Sequence, residues 1–207
     1  VRILRYGEHA ALVELASLDE VGAAHRALRG AADSGELPGL VELVPAARTV
    51  LAAFAPGSPG LGRLSGLLDD LELSAPDAGE RREVTLPVSY DGPDIELVAE
   101  TAGLSVAEVI RLHTEAEYTV AFCGFAPGFG YLTGLAEPLR QPRLDSPRSS
   151  VAAGSVGVAG EFTAAYPRSS PGGWRLIGHT DAPLFDPAAD SPALLTPGAL
   201  VRFERAG

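Results

Sequence analysis

From Tyr118 onward the chain shows no helical hydrophobic period of useful length, because glycine or proline interrupts it every few residues. Gly128, Gly134, Pro142, Pro147, Gly154, Gly157, Gly160, Pro167, Pro171 and Pro183 leave only short β-like runs between them. That spacing excludes long helices. Proline removes an amide donor and clashes with the preceding turn, and glycine costs about 1 kcal/mol relative to alanine. Short strands joined by long loops tolerate both, so this part of the chain is expected to form a β-barrel or sandwich.

The residues before Tyr118 follow other periods. Strands are expected over 1–5, 10–14, 41–44 and 49–54. Ser17, with Glu20 three residues on, opens a helix whose Leu18, Val21, Ala24 and Leu28 share one face. Ser58 and Pro59 start a second helix, with Leu61, Leu64, Leu67, Leu68 and Leu71 as its apolar stripe. The order ββαββα fits a sheet covered on one face by two helices. A strand over 83–90 and short helices near 94–102 and 105–115 follow; Gly103 ends the first, and Ser105 with Glu108 caps the second. The intervening stretch, rich in Ala, Pro, Asp and Glu, reads as a linker. The expected organisation is α+β: a small α/β sandwich domain over 1–75, a linker over 76–82 and a β-barrel domain over 83–207. At 207 residues the chain can build its core without disulfides or metal.

Charge narrows the function. The formal net charge is −11, so a broad phosphate-binding surface, and with it nucleic acid, is not expected. No apolar run reaches the roughly 18 residues of a membrane span, no leader is expected before Val1, and with a single cysteine a cytoplasmic location is expected. All 16 basic residues are arginines. Without lysine, Schiff-base chemistry, a lysine general base and a Walker-type phosphate loop are excluded. Between Tyr118 and Thr180, Arg140, Arg143, Arg148, Arg168 and Arg175 outnumber Glu137, Asp145 and Glu161. Arginines there either grip an anionic group with two parallel bonds or pair with nearby acids; composition weighs the two equally.

Two segments stand beside that cluster. Gly154-Ser155-Val156-Gly157-Val158-Ala159-Gly160 is small enough for backbone amides to approach an anion, although in a β domain such a run more often makes tight corners than a cradle. Phe122-Cys123-Gly124-Phe125-Ala126-Pro127-Gly128-Phe129-Gly130-Tyr131 turns at Pro127-Gly128, with Phe122 expected in the core and Phe129 and Tyr131 expected to line a pocket. Cys123 reads as a buried, inert thiol. His113, placed on the polar side of its short helix, is the expected general base if the chain has one. His179 lies close to Asp181, and no spacing resembles a metal site.

These segments occur in order with further motifs: Pro142-Arg143-Leu144-Asp145-Ser146-Pro147-Arg148, Tyr166-Pro167, Ser170-Pro171-Gly172-Gly173-Trp174 and Leu184-Phe185-Asp186, preceded by Tyr6-Gly7-Glu8 and Gly92-Pro93-Asp94. The set resembles the B subunit of bacterial 5-oxoprolinase, the family also called allophanate hydrolase subunit 1 and sporulation kinase inhibitor (KipI-like). The resemblance spans nearly the whole chain. It implies a cyclophilin-like β-barrel after the small domain, and a part in ATP-dependent opening of 5-oxo-L-proline to L-glutamate. The implied partners are the C subunit (KipA-like) and the A subunit (LamB/YcsF-like), with ATP used by the complex and assigned to no site on this chain. On this reading a small-molecule substrate is bound by Phe125, Pro127, Gly128, Phe129, Tyr131, Arg143, Arg148, Gly154, Ser155 and Gly157. A KipI-like role as histidine-kinase inhibitor, or a urea- or allophanate-related amide hydrolase, are the alternatives. The chain departs from the family pattern at Glu161-Phe162-Thr163-Ala164, at His179 and at Ala152.

Overall fold

The computed structural model describes residues 1–69 and 82–206. Its contacts divide the chain into two units, Val1–Gly79 and Glu80–Gly207. The expected linker at 76–82, Arg82 apart, and Leu71 lie outside the described residues.

In the smaller unit the order is β1 (Arg2–Tyr6), β2 (Ala10–Glu14), α1 (Leu18–Asp33), β3 (Leu40–Pro45), β4 (Thr49–Phe54) and α2 (Gly60–Asp69). The four strands form an antiparallel sheet in the order β1-β2-β4-β3. Strand alternation sends Ala11, Val13, Val50, Ala52 and Phe54 to one face, where Val21, Ala24 and Leu28 of α1 and Leu64 and Leu68 of α2 pack on them. Helix α1 begins as its sequence dictates. The Ser17 hydroxyl accepts the Glu20 amide at 3.2 Å, while the Glu20 carboxylate takes the Ala16 amide at 2.8 Å. The reciprocal bond thus falls one residue earlier than a capping box prescribes.

The larger unit is a mixed α and β structure built on a nearly closed barrel. It comprises β5 (Glu83–Val88), α3 (Ile95–Ala102), α4 (Val106–Glu115), β6 (Tyr118–Cys123), β7 (Gly130–Thr133), β8 (Arg148–Val151), β9 (Ser155–Ala159), β10 (Phe162–Ala165), β11 (Ser170–Gly172), β12 (Arg175–His179) and β13 (Leu200–Arg205). Seven strands run in the order β12-β9-β10-β7-β6-β13-β5. Paired hydrogen bonds between Ser89 and His179, at 2.8 and 2.9 Å, bring the two ends of that sheet together. Glycine makes the seam possible: a Cβ on Gly178 would strike the Ser89 carbonyl, and one on Gly92 the Ile177–Gly178 backbone. Strands β5 and β13 are parallel, in register from Glu83 against Leu200 to Val88 against Arg205.

Two apolar clusters lie on opposite faces of one wall. Leu86, Val120, Leu132, Val156, Val158, Ile177, Val201 and Phe203 fill the barrel, capped by Val98 of α3 and Val109 of α4. The alternate residues Tyr131, Ala159, Phe162, Ala164 and Leu176 point outward with Phe129, Tyr166 and Trp174. A two-stranded ribbon, β8 with β11, contributes Val151 to this outer cluster. Being covered on both faces, β9 is buried along its whole length. Among the described helices none is long and apolar enough to cross a membrane.

Candidate functional site

The outer cluster gathers most of the aromatic residues singled out in the sequence. The Phe129 ring makes edge contacts with Phe125, Tyr131, Tyr166 and Trp174 at centroid distances of 5.3, 5.0, 5.2 and 5.7 Å. Phe129 is almost fully buried, so it supports the face and does not line a pocket. Phe122 joins from β6 because the strand's register shifts between Val120 and Phe122. That bulge turns Phe122 outward, where it stacks on Tyr131 at 4.4 Å and 19°.

The turn after β6 carries the one non-glycine residue with positive φ among those described, Phe125 at φ 67°. Left-handed backbone costs a bulky residue about 1–2 kcal/mol, so the surrounding bonds must hold it. They do: Ala126 N donates to Gly124 O at 2.7 Å, Phe129 N to Ala126 O at 3.0 Å and Gly124 N to Phe129 O at 3.2 Å. Pro127 fixes the corner, and a Cβ on Gly128 would fall 2.6 Å from Phe185 Cβ. The outcome is a large ring, 59% exposed, fixed at the rim of the aromatic face.

Arg143 sits on the exposed segment bordering that face. Gly160 N donates to Gln141 O at 2.7 Å on one side of it and Leu144 N to Gly173 O at 2.8 Å on the other. Burial pushes the Tyr131 and Tyr166 hydroxyls upward, and the Arg143 charge pulls both back in part. Arg148 is different. Its Nη2 donates to Asp94 Oδ1 at 2.7 Å and its Nη1 to Trp174 O at 3.5 Å. The expectation that Arg148 offers an open fork to an anion is therefore corrected: Asp94, at the start of α3, already fills it. Arg175 is likewise engaged by Thr101 Oγ1 at 2.8 Å and by Gln141 Oε1.

The glycine run is also corrected. It forms strand β9, and its amides are used within the fold: Gly154 N reaches Tyr166 O at 2.7 Å and Ser155 N reaches Ala152 O at 3.3 Å. Gly157 is glycine because a Cβ there would lie 3.3 Å from Trp174 Cβ and 3.1 Å from Arg175 O. These residues back the aromatic face and present no anion cradle.

His113 lies on the opposite side of the same wall and is fully buried, not on a polar helix face. The apparent polarity of its position reflected its helix alone; in the fold that side of α4 enters the barrel. The Thr163 hydroxyl donates to Gly157 O at 3.1 Å, so it accepts from His113 Nε2–H at 3.0 Å. That leaves His113 Nδ1 to accept the Tyr90 hydroxyl at 2.8 Å. Burial holds the imidazole down to about 3, and the neutral ring has no face open to solvent. His113 is thus a buried link from Tyr90 through Thr163 to the backbone of β9, and not the exposed general base expected of it. Cys123 is half-buried, its thiol pushed up by burial and near Leu195 O at 3.5 Å.

Tyr90, Thr163 and Gln141 were not marked by any local pattern, and Asp94 was marked only by its Gly92-Pro93-Asp94 motif before a helix. Their partners lie tens of residues away. Among the described residues no group of three or more His, Cys, Asp or Glu is arranged to hold a metal ion.

The carboxyltransferase domain family, subdomains C and D, matches residues 1–195. A protein of Escherichia coli O157:H7, named as the B subunit of 5-oxoprolinase, is 42% identical over 95% of this chain and 92% of its own. Proteins of the same name from Bacillus subtilis and Haemophilus influenzae are 47% and 42% identical, over 69% and 72% of this chain and 58% and 70% of theirs. The chain belongs to the 5-oxoprolinase B-subunit family. Among solved structures, TTHA0988 superposes with a TM-score of 0.82 at 36% identity over 97% of this chain, which spans 40% of that protein's length. The urea amidolyase of K. lactis shares the fold, with a TM-score of 0.78 at 20% identity over 99% of this chain and 15% of its own.

Proposed function

We propose that this chain is the B component of an ATP-dependent 5-oxoprolinase, opening 5-oxo-L-proline to L-glutamate together with the C subunit (KipA-like) and the A subunit (LamB/YcsF-like). The observation that carries the reading is the shared name of the three curated relatives, which makes each of them one part of an enzyme with further chains. The cyclophilin-like description of the barrel belongs to the same reading.

Among the described residues none is arranged as an ATP site. The chain has no lysine, and its candidate amides are taken up by the fold. What this chain supplies is an aromatic face with an exposed guanidinium at its edge, one wall of a site that a partner would complete. Desolvation against that wall strengthens any polar contact a small lactam makes there.

Mixing the purified chain with its candidate KipA-like and LamB/YcsF-like partners tests this. ATP-dependent glutamate formation by the mixture, absent from each component alone, is the expected result. Robust turnover by the lone chain, or no association with either partner, would overturn it.

A further inference from the structure

We propose that Arg143, at the edge of the aromatic face, is the receiving corner for the carboxylate of a small cyclic amide whose ring lies against Tyr131 and Phe125. This rests on the 5-oxoprolinase reading and goes further by naming the group that recognises the acid.

Among the arginines of the Gly/Pro-punctuated half, two are already engaged: Arg148 by Asp94, and Arg175 by Gln141 and Thr101. Arg140, Arg143 and Arg168 are exposed and make no ion pair or side-chain hydrogen bond among the described residues. Of these three, Arg143 is the one whose chain neighbour is bonded to the aromatic face: Leu144 N donates to Gly173 O, next to Trp174, at 2.8 Å, and the Arg143 charge acts on Tyr131 and Tyr166. Its backbone is tethered on both sides, at Gln141 and Leu144, so the guanidinium works from a fixed base. Preorganisation of that kind reduces the entropy lost on binding.

The platform beside it suits a flat, uncharged ring. Tyr131 is half-buried, with its ring braced by Phe122 at 4.4 Å and Trp174 at 5.7 Å. Phe125 stands at the rim in a backbone conformation that a bulky residue adopts only when held there. A carboxylate on such a ring would meet the planar fork of Arg143, which pairs with two oxygens at once.

Trp174 is the only tryptophan and lies within this cluster, so its fluorescence reports on the face. The full-length chain, alone and assembled with its partners, should be titrated with 5-oxo-L-proline and with 2-pyrrolidinone, the same ring without the acid. The wild type is expected to prefer the acid. Arg143→Ala should weaken 5-oxo-L-proline binding about 10- to 100-fold while leaving 2-pyrrolidinone unchanged, with Arg143→Lys restoring part of the loss and Arg140→Ala having no effect. In the working complex the loss should appear in KM more than in kcat. Equal affinity of Arg143→Ala and wild type for 5-oxo-L-proline would overturn the inference, as would an equal loss for both rings. An assembly that turns over 5-oxo-L-proline with an unchanged KM in Arg143→Ala would sink the inference and leave the proposed function standing. Arg143-dependent binding in an assembly without turnover would do the reverse.

Discussion

Asp94 receives two donors at once, Arg148 Nη2 and the Leu176 amide, each at 2.7 Å, and is only 6% exposed. Removing the guanidinium would leave a buried carboxylate half satisfied. Breaking such a pair costs several kcal/mol, and partial exposure of Arg148 moves the figure down, so Arg148→Ala should destabilise the protein by about 2–4 kcal/mol. Urea denaturation reads this directly, and unchanged stability would return Arg148 to the anion-binding candidates. His113 supports a second prediction. Its folded value of about 3 lies below the ordinary 6.5, so between those limits the unfolded chain binds more protons. Stability should therefore be fully present above about pH 6.5 and fall as the pH drops, by up to about 1.4 kcal/mol per unit. His25, lowered by burial and by Arg29, adds in the same direction. His113→Gln should flatten that slope in urea midpoints taken from pH 7.5 to 5. Such roles were illegible in the sequence because a residue type states what a side chain can do, and only the fold states what already occupies it. Arg143 and Arg148 lie five residues apart with the same chemistry, and the partners that separate them, Asp94 and the Trp174 carbonyl, are distant in the chain.

Local signals served the helices well. Ser105 and Glu108 form the full reciprocal box that their spacing implies, and Gly103 ends α3 in the left-handed region at φ 68°. Ser105→Ala should cost about 1 kcal/mol by thermal melting, since one hydroxyl satisfies an amide that nothing else reaches. Strands were harder. The outward turn of Phe122 depends on a bulge, and the parallel match of β5 to β13 joins segments that share no local pattern. The seam glycines make a sharper test. A methyl at Gly178 meets the Ser89 carbonyl, so Gly178→Ala should loosen the β5–β12 closure and lower stability by about 1–3 kcal/mol. An unchanged melting temperature would mean that the sheet ends are not held there.

Each unit has its own core, and the single tryptophan belongs to the larger one. Leu28 is fully buried in the smaller unit, so Leu28→Ala should remove about 2–5 kcal/mol from that unit. The loss should appear in far-ultraviolet circular dichroism while the midpoint of Trp174 fluorescence stays in place. A joint shift of both probes would mean that the units unfold together. At this scale the sequence was most readable where contacts are near in the chain: the ββαββα order emerged strand for strand, whereas the barrel's closure did not.

The parallel neighbours β5 and β13 have a consequence for biogenesis. Glu83 must wait for Leu200, more than a hundred residues later, before its strand gains that partner. On a translating ribosome the smaller unit, with its short-range pairings, can fold while the rest is still being made. The barrel cannot close until Arg205 has left the exit tunnel. Throughout that interval Val84, Leu86 and Val88 of β5 have no core to enter and both edges of the strand are unpaired, the condition in which a nascent segment is most open to mispairing.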